Sequence, residues 1–220
     1  MLDGRVRRGR ENRRAMIDSI CSLIEDGVIE PTAELVAGRA GLGVRSVFRH
    51  FRDIEGLRAE VVARLVAEAL PNLQQPRTAT DLAGRVRETL DIRARFFEAQ
   101  TAFRRAGDAV SHRSAVVRSN HADLDRLFRD DIKRNFAAEL AASDATVLDL
   151  IDALLSFPTW LRLRGPQALS VPAARRLLEG ALLAILPAGR ATRGPRAKAV
   201  ASGRGRTRSP QRSRGAGATR

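Results

Sequence analysis

A chain of 220 residues with 44% hydrophobic but only 4% aromatic residues, and no tyrosine, builds its core from Leu, Ala, Val and Ile, which suits packed helices better than a β-sandwich. Its net charge of +14 lies at the two ends, +4 on residues 1–14 and +10 on residues 189–220, with a formally neutral body between them. A single cysteine, Cys21, excludes an intramolecular disulfide, and no window reaches the ~18 consecutive apolar residues of a membrane span or the pattern of a signal peptide, so a cytoplasmic protein is expected.

Residues 1–9 are expected to form a basic, disordered arm. From Arg10 to Glu25, Ile17, Ile20, Cys21 and Ile24 make the i, i+3, i+4, i+7 stripe of an amphipathic helix, which Gly27 and Pro31 terminate. A short helix follows from about Ala33 to Ala40, with Thr32 as its N-cap. Gly41 and Gly43 break the chain before a second short helix, Val44 to His50. Asp53 then caps a longer helix from Ile54 to about Leu70, with Leu57, Val61 and Leu65 on its core face. Residues 71–79 carry two prolines, lose the periodicity and separate a unit at 10–70 from one at 80–187. In the second unit Leu82, Val86, Leu90 and Phe97 mark a helix of about 80–105. Val117, His121, Leu124, Phe128, Ile132, Phe136 and Leu140 mark another. Asp144 caps a third, with a kink or a break expected near Phe157 because Pro158 lies inside its pattern. Ser170 caps the last, which ends before Pro187. The Arg/Gly/Ala/Ser/Pro-rich segment 188–220 is expected to be disordered.

Two short helices joined by a tight glycine turn form a helix-turn-helix, whose second helix enters the DNA major groove and presents its N-terminal residues to base edges. Gly41 can take a positive φ without penalty. Leu35, Val36, Ala40, Leu42 and Val47 are expected to pack the two helices together, leaving Val44, Arg45, Ser46, Phe48, Arg49 and His50 to face outward or the groove. Phe51, closing the stripe, reads as core. Arginine pairs bidentately with guanine, so Arg45 and Arg49 are the strongest readers. Arg13 and Arg14, just before the motif, are placed to meet phosphates, whereas Arg39 reads as a solvated arginine.

The stretch from Thr32 to Phe51, with its preceding amphipathic helix and the following Phe51, Asp53, Glu55 and Leu57, resembles the signature of TetR-type regulators over about residues 10–65. The resemblance implies an all-α fold: an N-terminal three-helix helix-turn-helix DNA-binding domain plus a C-terminal helical ligand-binding and dimerisation domain. It implies that Thr32 holds a phosphate, that Val44, Arg45, Ser46 and Phe48 approach bases, and that Arg49 and His50 approach bases or backbone. This chain departs from the pattern at Phe48, where tyrosine is frequent; at Gly43, where serine is; and at Ile54, where lysine is, with Arg52 standing nearby as a substitute.

The resemblance further implies a small-molecule pocket within residues 80–165. Phe96, Phe97, Phe103, Phe128, Phe157 and Trp160 are candidate linings, together with His121 as a polar contact. Phe136 belongs to the same aromatic set, and aromatic residues at this spacing also simply pack as core. The final helix and the one near 146–163 are apolar nearly all round, so a homodimer through these last two helices is expected, supplying two recognition helices for double-stranded operator DNA. No metal-ligand spacing, P-loop or nucleophile motif is present, so neither an enzyme nor a cofactor is expected. Three readings remain: a sequence-specific regulator, in the usual form a repressor released by an unidentified small-molecule effector; an architectural nucleic-acid-binding protein driven by the basic tail; and a ligand-binding helical scaffold whose helix-turn-helix no longer reads DNA.

Overall fold

The computed structural model describes residues 2–186, and among these every regular element is a helix. In chain order they are α1 (Leu2–Glu25), α2 (Ala33–Arg39), α3 (Val44–His50), α4 (Ile54–Leu73), α5 (Leu82–Val110), α6 (Ala115–Asn135), α7 (Ala137–Ala141), α8 (Thr146–Leu154), α9 (Phe157–Arg164) and α10 (Val171–Ile185). None of them is long and apolar enough to cross a membrane. The expectation for 188–220 lies outside the described residues.

The helices gather around two hydrophobic clusters. The first joins Met16, Ile20 and Leu23 of α1 to Val36 of α2, Val47 of α3, and Leu57 and Val61 of α4. The second joins Val86, Leu90 and Phe97 of α5 to Ile132 of α6, Ile151 of α8, Trp160 of α9 and Leu182 of α10. Helix α5 serves both, because Ala106 near its end belongs to the first cluster.

Several boundaries follow from local chemistry. Gly27 (φ 92°) and Gly41 (φ 66°) each end a helix in the left-handed region. At Gly27 the Val28 N–H reaches the Leu23 carbonyl at 2.9 Å; at Gly41 the Leu42 N–H reaches that of Ala37 at 2.9 Å. Both are Schellman closures, which satisfy carbonyls that a helix end leaves bare. Thr32, Asp53 and Ser170 cap as expected, accepting from the N–H of Leu35, Gly56 and Ala173 at 3.3, 2.8 and 3.3 Å.

Three expectations are corrected. Residues 2–9 are not an arm apart from the first helix but its first turns. Arginine propagates a helix well, Arg8 donates to the Gly4 carbonyl at 3.3 Å, and Arg7 pairs with Glu11 one turn on at 3.6 Å. Helix α4 does not stop at Leu70 but passes Pro71 and ends at Leu73, whose side chain enters the second cluster. Near a helix end the missing proline N–H forfeits one bond, and burial of Leu73 offsets it. The helix expected through Leu140 breaks at Phe136 (φ −124°, ψ 27°), after Asn135 turns its side-chain amide onto the Asp131 carbonyl at 2.8 Å. Of the two outcomes expected near Phe157, a kink or a break, the helix takes the break, with Ser156 capping α9 and Pro158 in its first turn.

The connector after α4 is pinned by polar contacts. Arg77 donates to Thr89 Oγ1 at 3.2 Å and to Asp131 Oδ2 at 2.8 Å, while Glu88 accepts from the backbone of Thr78 and Ala79 at 2.8 and 3.1 Å. Arg93, 2% exposed, approaches the same Asp131 carboxylate at 3.6 Å and donates to the carbonyls of Phe128 and Leu155 at 2.8 and 3.2 Å. Its Cζ lies 3.9 Å from the Phe128 ring centroid. Burial pulls the Arg93 pKa down to about 10 against the opposing pull of Asp131, so it stays a cation at neutral pH.

Candidate nucleic-acid interface

Helix α3 has one fixed side and one free side. Val47 is wholly buried against Val36 and Leu57, and Phe51 at the C-cap is 4% exposed, so the rotation of the helix is set by its core face. Rotation then decides what remains outside: Arg45, Phe48 and Arg49 are exposed on α3, with Arg52 just beyond it. Val44, Ser46 and His50 are half-buried. Phe48, at 53% exposure, is a large ring left in solvent, the arrangement of a contact residue rather than a core one. Leu35 is corrected: it does not pack α2 on α3 but is exposed, and the α2 contribution comes from Val36 with partly buried Ala40 and Leu42.

The two arginines of α3 differ. Arg49 donates to Ser46 Oγ at 3.1 Å, so it lies along the helix surface, while Arg45 makes no hydrogen bond, ion pair or ring contact with other described residues. Thr32 is exposed at the start of α2, and its hydroxyl accepts from Leu35; the Glu34 carboxyl is held below its usual pKa first by that residue's own N–H and then by the Thr32 hydroxyl. His50 Nε2 is buried without a hydrogen-bond partner, and the Gly9 position of α1 lies within van der Waals reach of its ring. Burial first, then Arg49 and Arg13, push the imidazole pKa down, so it is neutral at pH 7.

Arg13 and Arg14 separate clearly. Arg13 donates to the His50 carbonyl at 3.1 Å, pairs with Glu60 at 2.6 Å and lies 4.8 Å over the Phe51 ring, tying α1 to the end of α3 and to α4. Arg14 is 85% exposed, with only Asp18 nearby at 4.0 Å. Arg39 is corrected too: it is not simply solvated but bonds Ser22 and Asp26 at 2.7 and 2.8 Å, binding α2 to α1.

A second feature lies behind this surface. A cavity of about 100 Å³ is bounded by α1, α4, α5 and α6, by the 29–31 segment leading into α2, and by Phe157. Of the residues expected to line a pocket, Phe96, Phe103, His121 and Phe157 do so. Phe97, Phe128 and Trp160 do not: they are 2%, 5% and 2% exposed within the second cluster, and Phe97 stacks with Phe128, Phe157 and Trp160 at centroid distances of 5.7, 4.6 and 6.0 Å. Phe136, wholly buried, is likewise core. The indole N–H of Trp160 donates to Glu98 at 2.8 Å, so its polar edge is satisfied by α5. Polar ties beside the cavity join the N-terminal helices to the later ones: Glu55 of α4 accepts from Ser114 Oγ at 2.6 Å and from the Val116 N–H at 3.3 Å, and Glu30 pairs with Arg113.

Among the described residues the fold is all-helical, and it is similar to that of proteins named as transcriptional regulators. The particular likenesses are two crystal structures named as transcriptional regulators. One, from Streptomyces coelicolor A3(2), matches with a TM-score of 0.57 and 19% identity over 80% of this chain and 99% of its own. The other, from Rhodococcus sp. Rha1, matches with a TM-score of 0.55 and 18% identity over 81% of this chain and 95% of its own. No family model and no curated protein matches the sequence.

Proposed function

We propose that this chain is a sequence-specific DNA-binding transcriptional regulator of TetR type, acting as a homodimer and releasing operator DNA when a small molecule binds. The observation that supports it most is the free face of α3, where Arg45, Phe48 and Arg49 stand exposed on a helix whose opposite side is locked by Val47. A helix held this way presents guanidinium groups to base edges with little freedom to reorganise. Thr32, Arg14 and Arg52, all exposed around that face, are the proposed phosphate contacts. His50, Val44 and Ser46, half-buried, offer shorter contacts at the margins.

Pairing is proposed through α8 and α10, where Leu150, Leu177 and Leu183 are 48%, 51% and 37% exposed. Leucines left in solvent on the last helices are the material of a self-complementary interface. The architectural alternative draws on the +10 charge of residues 189–220.

The test is selection of bound duplexes from genomic fragments, then titration of the selected site and its single-base variants at two salt concentrations. A regulator binds its site about 10³-fold or more tighter than random duplex. Arg45→Ala is expected to lose about 1–3 kcal/mol at one base position while leaving the others unchanged. Uniform loss across all sequences, or affinity that vanishes with deletion of 189–220 and shows no sequence preference, would sink the reading.

A further inference from the structure

The cavity behind the DNA-facing helices has a chemistry that narrows what can occupy it. Its walls are mainly apolar, with Ile20, Ile24, Val61, Leu65, Phe103 and Leu124 among them. Three formally charged side chains also line it, and each already has a partner. Glu30 pairs with Arg113; Arg58 lies 3.4 Å from Glu55 and 3.8 Å from Glu30; Arg104 pairs with Asp108 at 2.9 Å and sits 5.4 Å over the Phe157 ring. A charged occupant therefore finds no unpaired counter-ion, and burying an uncompensated charge is expensive.

The neutral polar groups are different. Gln100 and Asn120 line the cavity from α5 and α6, are half-buried, and make no hydrogen bond to other described residues. His121, beside Asn120, comes within 3.7 Å of Asp108, yet burial and Arg104 keep its pKa below the ordinary imidazole value, so it brings a neutral donor and acceptor rather than a charge. At about 100 Å³ the space is smaller than the roughly 300–1,000 Å³ of common ligand pockets.

We propose that this cavity takes a small, uncharged, largely apolar molecule bearing a hydrogen-bonding group, which is met by Gln100 and Asn120 beside His121. The inference rests on the effector-controlled reading above and names the chemical class of that effector. Because Ile20 and Ile24 of α1 and the segment entering α2 form part of the wall, the occupant touches the core of the DNA-reading module itself.

The experiment is isothermal titration of the full-length protein with four probes that share one phenyl ring and differ in its substituent: benzyl alcohol, toluene, benzoate and benzylammonium. Benzyl alcohol is expected to bind tightest, and each ion at least about 10-fold more weakly. The Gln100→Leu, Asn120→Leu double variant is expected to bring benzyl alcohol down to the affinity of toluene without weakening toluene, a pattern that general loss of structure does not produce. Val62→Trp, which fills the cavity, is expected to abolish both neutral probes. Either ion binding as tightly as benzyl alcohol overturns the proposal. So does failure of both neutral probes at their solubility limit, or benzyl alcohol binding that survives Val62→Trp. Operator titration on the same preparation separates the two levels: probes that bind a protein without a preferred DNA site leave the cavity chemistry standing and remove the regulator reading.

Discussion

Replacing Arg13 with alanine removes three contacts at once, and the structure lets their worth be worked out. The ion pair with Glu60 is between side chains 40% and 41% exposed, so screening holds it to about 0.5 kcal/mol. The hydrogen bond to the His50 carbonyl contributes about 1 kcal/mol, and the guanidinium over Phe51, at 4.8 Å, about 0.5 kcal/mol. Arg13→Ala is therefore expected to destabilise the protein by about 2 kcal/mol, a fall of about 1 M in the urea midpoint. Arg14→Ala, at a side chain 85% exposed, is expected to leave that midpoint unchanged and instead to lower the salt slope of DNA binding by about 1. Urea denaturation followed by circular dichroism, with DNA titrations at three salt concentrations, reads both effects. If Arg13→Ala kept full stability and lowered the salt slope as Arg14→Ala does, Arg13 would be a phosphate contact and its bracing role would be refuted.

Gly41→Ala places a side chain at φ 66° with no atom within 4 Å of the new Cβ, so the cost is purely conformational, about 1 kcal/mol; Gly43→Ser, equally uncrowded but at φ −75° in the N-cap position of α3, is expected to be neutral or slightly stabilising because its hydroxyl supplies a cap. Thermal melts of the two variants side by side check this, and equal melting points would refute it. Leu150→Arg with Leu177→Arg is expected to leave the protomer folded, because both side chains are about half exposed, and to shift sedimentation from dimer to monomer at micromolar concentration. Unchanged sedimentation would place the pairing surface elsewhere.

The helix-turn-helix was legible because its determinants are local. Thr32, Gly41 and Asp53 act on neighbours within four residues, and α2 and α3 fall within one residue of the sequence expectation. What escaped the sequence depends on distant partners. Arg13 looked like a phosphate arginine because Glu60 and His50 are far along the chain, and Arg39 looked solvated because its partners, Ser22 of α1 and Asp26 in the turn after it, precede Arg39 by 17 and 13 positions. The segment 71–79 looked loose from its prolines, yet Arg77 finds Asp131 across 54 positions. Phe97 and Phe103 have similar surroundings in sequence, and only the rotation of α5 against its neighbours puts one in the core and the other on the cavity. The first turns of α1 were missed for a different reason: charge density argued for disorder, while arginine's helix propensity and the Arg7–Glu11 pair outweighed it.

The corner between α8 and α9 owes its form to more than Pro158. Leu155 closes α8, and the last carbonyls of a helix carry partial negative charge. Arg93 delivers a buried cation to that terminus from α5, so the corner is held by a residue on another helix. Helix α10 packs on α5 as well. The exposed leucines of α8 and α10 thus sit on helices that both lean on α5, α8 through the Arg93 bond at its C-terminus. A substitution at Arg93, invisible from outside, is expected to change the angle at which the α8 leucines are offered, and with it the separation of the two recognition helices in the proposed homodimer.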